Sequence, residues 1–225
     1  MINKRRKSFF IIIFTLLISF ASCKGDKNTA HELILDSKYQ QIKTIHSFAN
    51  CIGPDGKKYT TEVKSELDGS CIFIQKYEEN DALFSVKLTS DNKGFILNEQ
   101  HVIVDTLGAE DVEIVRSHEF HKMHTNPSHF FDDIRFDKAV NKEFDLYIAK
   151  DKLNNPVNLW YHKKFELIHK IDLLNPRDTT EHIEIFNKEF VDYGYDYGKV
   201  VKNLEIVQGK KDTFYFNFKS IKINE

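Results

Sequence analysis

Most of the chain alternates apolar and polar residues with a period of two, which is the pattern of β-strands. The clearest case is KYTTEVKSEL (Lys58–Leu67), in which Tyr, Thr, Val, Ser and Leu fall on one face and Lys, Thr, Glu, Lys and Glu on the other. A strand with one polar face favours an antiparallel sheet. Asp68-Gly69 follows as a strong hairpin signal, and short apolar stretches at about ten-residue spacing predict a meander of strands from Ile45 to Asp105.

Two stretches depart from this alternation and are predicted to be helical. His31–Ile45 is rich in strong helix formers and has no Gly or Pro, although its C-terminal end is also compatible with a strand. Glu110–His124 has an acidic start and no alternation, which predicts a second helix. A further helical or irregular segment is expected after Ser128. Strands resume at Phe144 and continue to the end of the chain.

The last predicted strand changes phase within its length. Three phenylalanines at alternate positions, the first of them Phe214, share one face, whereas Ile221 and Ile223 fall on the other. Because a slip of one residue moves every later side chain to the opposite face, this change predicts a β-bulge or a sharp bend near Lys219–Ser220.

The N-terminal segment has the pattern of a targeting signal. Four basic residues, Lys4–Lys7, precede an apolar run, Phe9–Phe20, that is shorter than the roughly 20 residues of a membrane-spanning helix. An alanine and a serine then precede Cys23. This arrangement resembles the lipobox of bacterial lipoproteins, with Phe20 where that family usually has Leu. The alternatives are an ordinary cleaved signal peptide and a single N-terminal anchor helix.

The lipobox resemblance implies cleavage before Cys23 and attachment of a diacylglycerol to its sulfur. We therefore expect a signal peptide over residues 1–22, the lipidated cysteine and a polar linker over residues 23–30, and a single domain over residues 31–225. The relaxed lipobox and the charged Lys24–Lys27 resemble those of Bacteroidetes lipoproteins. The expected location is the cell envelope, with the chain lipid-anchored to the periplasmic or surface face of the outer membrane.

Charge and motifs exclude several classes of function. Without the four basic residues of the signal, 28 basic residues stand against 34 acidic ones, which gives a net charge near −6. This balance argues against nucleic acid as a partner and against adhesion to anionic lipid through a basic patch. The sequence has no G-x-S-x-G, P-loop or G-x-G-x-x-G motif, and the adjacent Asp132 and Asp133 lack the spacing of acid–base partners. We expect neither an enzyme nor a cofactor.

The cysteines are candidates for a disulfide and the histidines for a metal site. Cys51 and Cys71 lie beside successive hairpin turns, at opposite ends of one predicted strand, which places them over roughly 20 Å apart, too far for a disulfide. They are predicted to be separate buried thiols. His118, His121 and His124 follow an H-x-x-H-x-x-H spacing that cannot direct all three rings at one metal ion from a regular helix.

Solvent-facing histidines are therefore the preferred interpretation of that helix. The alternative is a two-histidine zinc or copper site, formed by His118 and His121 and completed by Asp132 or Asp133, with His129 nearby.

The order of predicted elements resembles that of the LolA/LolB-like lipoprotein-sorting family. The segment FDLYIAKDKLNNPVNLWYHKK (Phe144–Lys164) resembles its strand–turn–strand in which a proline begins the second strand. The segment IFNKEFVDYGYDYGKVVKNLEI (Ile185–Ile206) resembles the part of that family that leads through a tyrosine-containing stretch to a Val-rich strand. Neither Arg116 nor Arg135 lies in a motif that matches the arginine with which the carrier of that family locks its lid.

The resemblance implies an α+β fold: a strongly curved antiparallel sheet, or open half-barrel, whose apolar concave face is covered by helices and holds acyl chains. It implies a non-enzymatic, membrane-fixed lipoprotein whose partner is a lipid, an acyl chain or the lipid of another lipoprotein. From the inward phase of the strands we predict ten cavity-lining residues: Val63, Phe73, Phe84, Val86, Leu146, Ile148, Leu159, Phe214, Phe216 and Phe218.

Plain core positions are the alternative for each of these ten residues. The alternative functions are a cell-envelope protein-interaction module whose cavity is filled by its own side chains, and a metal-binding or hydrolytic lipoprotein.

Overall fold

A computed structural model describes residues 41–79, 83–192, 199–209 and 211–225. The ranges leave out the predicted signal peptide, the Cys23 anchor, the linker and residues 31–40 of the first predicted helix. They also leave out Tyr193–Gly198, the tyrosine-containing stretch, which the sequence predicts to be a turn. Within them, no helix combines the length and the apolar character needed to cross a membrane.

The described residues form 13 strands and two short α-helices. The first six strands precede the helices and the other seven follow them. Their bounds are β1 Thr44–Ile52, β2 Lys58–Glu66, β3 Cys71–Tyr77, β4 Leu83–Leu88, β5 Gly94–Leu97, β6 Ile103–Thr106, α1 Ala109–Arg116, α2 Phe120–Thr125, β7 Asp132–Ala139, β8 Phe144–Lys150, β9 Pro156–His162, β10 Leu167–Asn175, β11 Asp178–Asp192, β12 Lys199–Gln208 and β13 Asp212–Ile223.

The 13 strands belong to one antiparallel sheet in the order β6-β5-β4-β3-β2-β1-β13-β12-β11-β10-β9-β8-β7. Every neighbouring pair is consecutive in the chain except β1 and β13, which join the two halves of the sheet. The described chain is therefore mostly β, and its helical part is smaller than the predicted α+β class implies. The two helices and a 3₁₀ turn, Pro127–His129, connect the halves.

The alternation of the first hairpins is confirmed. In β2 the side chains of Tyr59, Thr61, Val63 and Ser65 are buried, while those between them are partly or fully exposed. The hairpin at Asp68-Gly69 is also confirmed, because Glu66 N–H donates to the Ser70 carbonyl at 2.9 Å. Gly69 has φ +93, a conformation that L side chains rarely adopt, and a Cβ there would lie 2.5 Å from the His129 ring.

The predicted helix over Glu110–His124 is broken into α1 and α2. Between them, Ser117 N–H donates to the Glu113 carbonyl, but His118 N–H and Glu119 N–H donate three residues back, to Val115 and Arg116. This tight turn changes the direction of the chain, and all six residues of α2 are buried.

The prediction of a helical or irregular segment after Ser128 was wrong for the residues beyond the 3₁₀ turn. Asp132–Ala139 instead forms β7, an edge strand that pairs with β8. Its charged residues had obscured the strand pattern, since an edge strand tolerates charges on positions that face water.

The phase change in the last strand is confirmed. Phe48 pairs with Ser220 and Ala49 with Phe218, so Lys219 is the extra residue of a β-bulge in β13. The bulge allows Phe216 and Phe218 to pack in the main core while Ile223 reaches a separate small cluster.

Two larger apolar clusters form the core. The main cluster joins α2 to strands β8 to β13 and to β1 and β2, and it includes Ile171, Ile185 and Leu204. The second joins α1 to strands β2, β3 and β4 through Val112, Val115 and their neighbours. The short helical segment therefore packs against both halves of the sheet.

The helix α1 also makes polar contacts with turns that are far apart in the strand order. At one end, Arg116 donates to the Gly69 and Thr89 carbonyls, each at 3.0 Å, in the β2–β3 and β4–β5 connections. At the other end, Asp111 pairs with Arg177 of the β10–β11 turn. Six strands lie between β4 and β10 in the sheet.

The cysteine prediction is confirmed, since Cys51 and Cys71 are both buried and free. Cys51 pairs across from Tyr59 at one end of β2 and Cys71 from Ser65 at the other. Burial raises the pKa of the Cys51 thiol to about 12 and that of Cys71 well above its usual value.

Candidate functional site

A cavity of about 740 Å³ lies between α1 and the strands on both sides of the β1–β13 junction. Its apolar wall comes mainly from β10 to β13, and its rim includes the β1–β2 turn and the start of β13. The apolar lining residues are Pro54, Tyr59, Tyr77, Ile114, Leu173, Pro176, Ile183, Ile185, Ile206, Phe214 and Phe216. The volume and the lining are typical of a site for a small apolar ligand.

Aromatic rings connect α1 to the sheet beside this cavity. The ring centroid of His118 lies 4.9 Å from that of Phe73 on β3 and 6.1 Å from that of Phe216 on β13. Phe216 also contacts Tyr59 edge-on at 6.2 Å. These contacts fix the wall on the α1 side, because aromatic pairs in such geometries stabilise one another beyond their buried area.

Two side chains at the end of α1 donate to one backbone carbonyl. Ser117 Oγ lies 2.7 Å and His118 Nδ1 2.9 Å from the Ile114 carbonyl oxygen. The carbonyl can only accept, so the His118 ring carries its proton on Nδ1. Burial lowers the pKa of His118, which favours the neutral ring. The bonds satisfy a carbonyl of the last helical turn that His118 N–H bypasses.

The charged residues of the lining are mostly acidic. The described lining residues include the carboxylates of Asp55, Glu113 and Asp212 and the ammonium of Lys57. Lys57 Nζ lies 3.1 Å from Asp55 Oδ2, and hydrogen bonds from Lys57 lower the pKa of that carboxyl group. Burial raises the pKa of Glu113. The one lysine is thus already paired within the rim.

The predicted lining residues are distributed over several environments. Phe214 and Phe216 line the cavity. Leu159 and Phe218 are buried in the main core, and Val63, Phe73 and Val86 in the second cluster. Phe84 is exposed on β4.

Leu146 and Ile148 lie on the face of β8 opposite to the buried Tyr147 and Ala149. The apolar residues of FDLYIA suggest that Leu146 and Ile148 face the core. The structure instead buries the face that carries Asp145, which is possible because the Asp145 carboxylate pairs with Lys163 at 2.8 Å.

Sequence reasoning missed most of the cavity wall. Ile183 and Ile185 alternate along β11, and Ile206 lies opposite Ile185 on β12. The alternation in HIEIF was a signal for these positions. His118 had no such signal, because its place in the wall depends on the break between α1 and α2.

The histidines of the helical segment are largely buried, so their interpretation as solvent-facing was wrong. His121 Nε2 donates to the Val201 carbonyl at 2.8 Å, and His124 contacts the Phe120 carbonyl and the Asn187 amide. Burial lowers the pKa of both rings to about 4. Among the described residues, no three His, Cys, Asp or Glu side chains are grouped closely enough to hold a metal ion.

A comparison with solved structures shows which known proteins have a similar fold. A DUF1329 family protein from Desulfovibrio piger superposes with a TM-score of 0.61 at 10% identity, over 87% of this chain and 92% of that one. A LolA superfamily protein from Nitrosomonas europaea gives 0.60 at 8% identity, over 85% and 93%. A putative outer membrane lipoprotein-sorting protein domain from Vibrio parahaemolyticus gives 0.57 at 8%, over 88% and 92%.

The chain therefore has a LolA-like fold, and at these identities the likeness establishes the fold alone. No family model and no curated protein matches the sequence.

Proposed function

We propose that this chain is a non-enzymatic protein of the cell envelope that holds an acyl chain, of a lipid or of another lipoprotein, in the cavity beneath α1. The observation that carries the proposal is the apolar cavity of about 740 Å³ between α1 and the sheet. The structural neighbours include a LolA superfamily protein and a domain described as lipoprotein-sorting, which supports a sorting-related role at the outer membrane.

We infer that the sheet curves around α1 as an open half-barrel. The β4–β5 and β10–β11 turns, which both contact α1, are seven strand positions apart, or roughly 34 Å in a flat sheet. The eight residues of α1 span only about 12 Å. A curved sheet accounts for both sets of contacts and leaves an apolar inner face under the helix.

Apolar burial is sufficient to bind an acyl chain at such a site. Each methylene that leaves water contributes about 0.8 kcal/mol, so a dozen buried methylenes offset the cost of association without any catalytic group. Attachment through Cys23 would fix the protein to the membrane, so that it receives or holds an acyl chain instead of carrying it between membranes. Incorporation of labelled fatty acid by the wild type and not by Cys23→Ser tests the anchor.

Replacing Phe214 with glutamate is expected to reduce acyl-chain binding at least tenfold. Phe214 lines the cavity and is only partly buried, so the change places a charge on the wall without opening the main core. Binding is measured by native mass spectrometry on Lys24–Glu225 purified without detergent, with monolauroylglycerol and laurate as probes.

The matched control for that experiment is Tyr215→Glu. Tyr215 is the next residue of β13, faces the other side of the sheet and is 51% exposed. Equal loss in both variants, or a wild-type protein that contains no lipid and takes up neither probe, would contradict the proposal and favour a protein-interaction module.

A further inference from the structure

Two polar side chains of the cavity, those of Ser117 and His118, can only accept further hydrogen bonds. Ser117 Oγ and His118 Nδ1 both use their proton on the Ile114 carbonyl. Each is left with one free atom that only accepts, the hydroxyl oxygen of Ser117 and Nε2 of His118. Neither side chain has another hydrogen-bond partner in the part of the chain that the structure describes.

Other polar side chains line the same cavity, and those of Tyr59, Tyr77 and Gln75 can either donate or accept a hydrogen bond. Gln208 Nε2 donates to Glu181 at 2.7 Å, and the ammonium of Lys57 pairs with Asp55. The carboxylates of Glu113 and Asp212 add further acceptors to the described lining. A ligand that brings only acceptors would therefore leave Ser117 Oγ and His118 Nε2 without a donor when it displaces water, which carries a free-energy cost.

The charge of the cavity lining also disfavours a ligand with an anionic head group. Three carboxylates and one ammonium line the described cavity, and the ammonium is already paired. An anionic head group would meet uncompensated negative charge at the rim, and like charges at short range repel more strongly where water is partly excluded. A fatty-acid anion or a phosphate therefore suits the site poorly, although its hydrocarbon tail would fit.

We propose that the cavity selects an acyl ligand whose polar end is uncharged and donates hydrogen bonds through hydroxyl or amide N–H groups, with Ser117 and His118 as the specificity-determining acceptors. This inference rests on the proposed acyl-binding function and adds the chemistry of the head group. A monoacylglycerol is the simplest member of the class. The acyl chain occupies the wall of β10 to β13, and the hydroxyl groups meet the end of α1.

The test compares three probes with the same acyl chain on the full-length protein in nanodiscs. The probes are monolauroylglycerol, its di-O-methyl ether and laurate, and the bound amount is counted by mass spectrometry after affinity capture, with empty nanodiscs subtracted. Two lost hydrogen bonds predict that the ether binds about ten- to a hundredfold more weakly than monolauroylglycerol. Laurate is expected to bind more weakly still.

Variants assign the preference to named atoms. His118→Phe keeps an aromatic ring against Phe73 and Phe216 but removes the Nε2 acceptor, so the preference for monolauroylglycerol over its ether should fall about tenfold. Ser117→Ala, a smaller change at a half-buried position, should lower the same ratio and serves if His118→Phe does not fold. His46→Phe, on the other face of β1, should leave the ratio unchanged.

The outcomes separate the two proposals. If all three probes bind equally well, the acyl-binding function stands and the head-group inference is overturned. Tighter binding of laurate than of monolauroylglycerol also overturns it. If no probe binds, the proposed function itself fails, and the head-group inference fails with it.

Discussion

Replacing Arg116 with alanine is expected to lower the free energy of unfolding by about 3–5 kcal/mol, the cost of leaving a buried charge without its partner. Arg116 is 5% exposed, and its guanidinium group contacts the Glu119 carboxylate at 3.0 Å, the Gly69 and Thr89 carbonyls, and the Asn92 side chain. Glu119 is itself 1% exposed. The substitution removes both the ion pair and the link between α1 and two turns of the sheet.

Urea unfolding followed by circular dichroism measures this loss. Arg177→Ala is the matched control, because Arg177 also pairs with a carboxylate, that of Asp111, but is largely exposed and should cost less than about 1 kcal/mol. The double variant Arg116→Met/Glu119→Leu should recover part of the lost stability, since it removes both charges of the pair but leaves the buried Lys122 without the nearby Glu119 carboxylate. A cost below about 1 kcal/mol for Arg116→Ala would show that the buried pair does not hold α1 to the sheet.

Acidification from pH 7 to pH 4 is expected to destabilise the folded chain through His121 and His124. Burial holds the pKa of each ring at about 4, whereas an unfolded histidine titrates near 6.5. Below pH 6.5 these two histidines are therefore protonated in the unfolded chain but stay neutral in the folded chain. Stability falls as pH decreases through this window, by up to roughly 3 kcal/mol for each ring.

The measurement is the free energy of unfolding at several pH values between 7 and 4. Glu113 and Glu119, whose pKa values burial raises, act in the opposite sense, so the histidine contribution is taken as a difference between proteins. The double variant His121→Gln/His124→Gln should have a flatter pH profile than the wild type. An exposed-site control, His101→Gln, should keep the wild-type slope, and equal slopes in all three proteins would contradict the assignment.

The strands of the sheet were predictable from the sequence wherever one of their faces is exposed to solvent. The alternation in β2, the Asp68-Gly69 turn and the bulge at Lys219 all follow from local sequence, because each depends only on neighbours along the chain. The edge strand β7 was not predictable in this way. Its charged residues resemble those of a helical surface, and only its pairing with β8 establishes it as a strand.

The cavity was predictable only in part, because a wall depends on which elements meet across space. Phe214 and Phe216 were expected on the lining and are there. The contribution of β11 and the place of His118 depend on how α1 crosses the sheet. No sequence period carries that information, since the crossing is fixed by Arg116 and Asp111 at the two ends of the helix.

The two buried thiols can report local opening of the folded protein. Cys51 on β1 and Cys71 on β3 lie near opposite ends of β2 and belong to different apolar clusters. A thiol-reactive dye reaches either sulfur only when its surroundings separate, so the labelling rate of each cysteine counts local opening events. Comparing the two rates, with and without a bound ligand, would tell which of the two clusters opens more often.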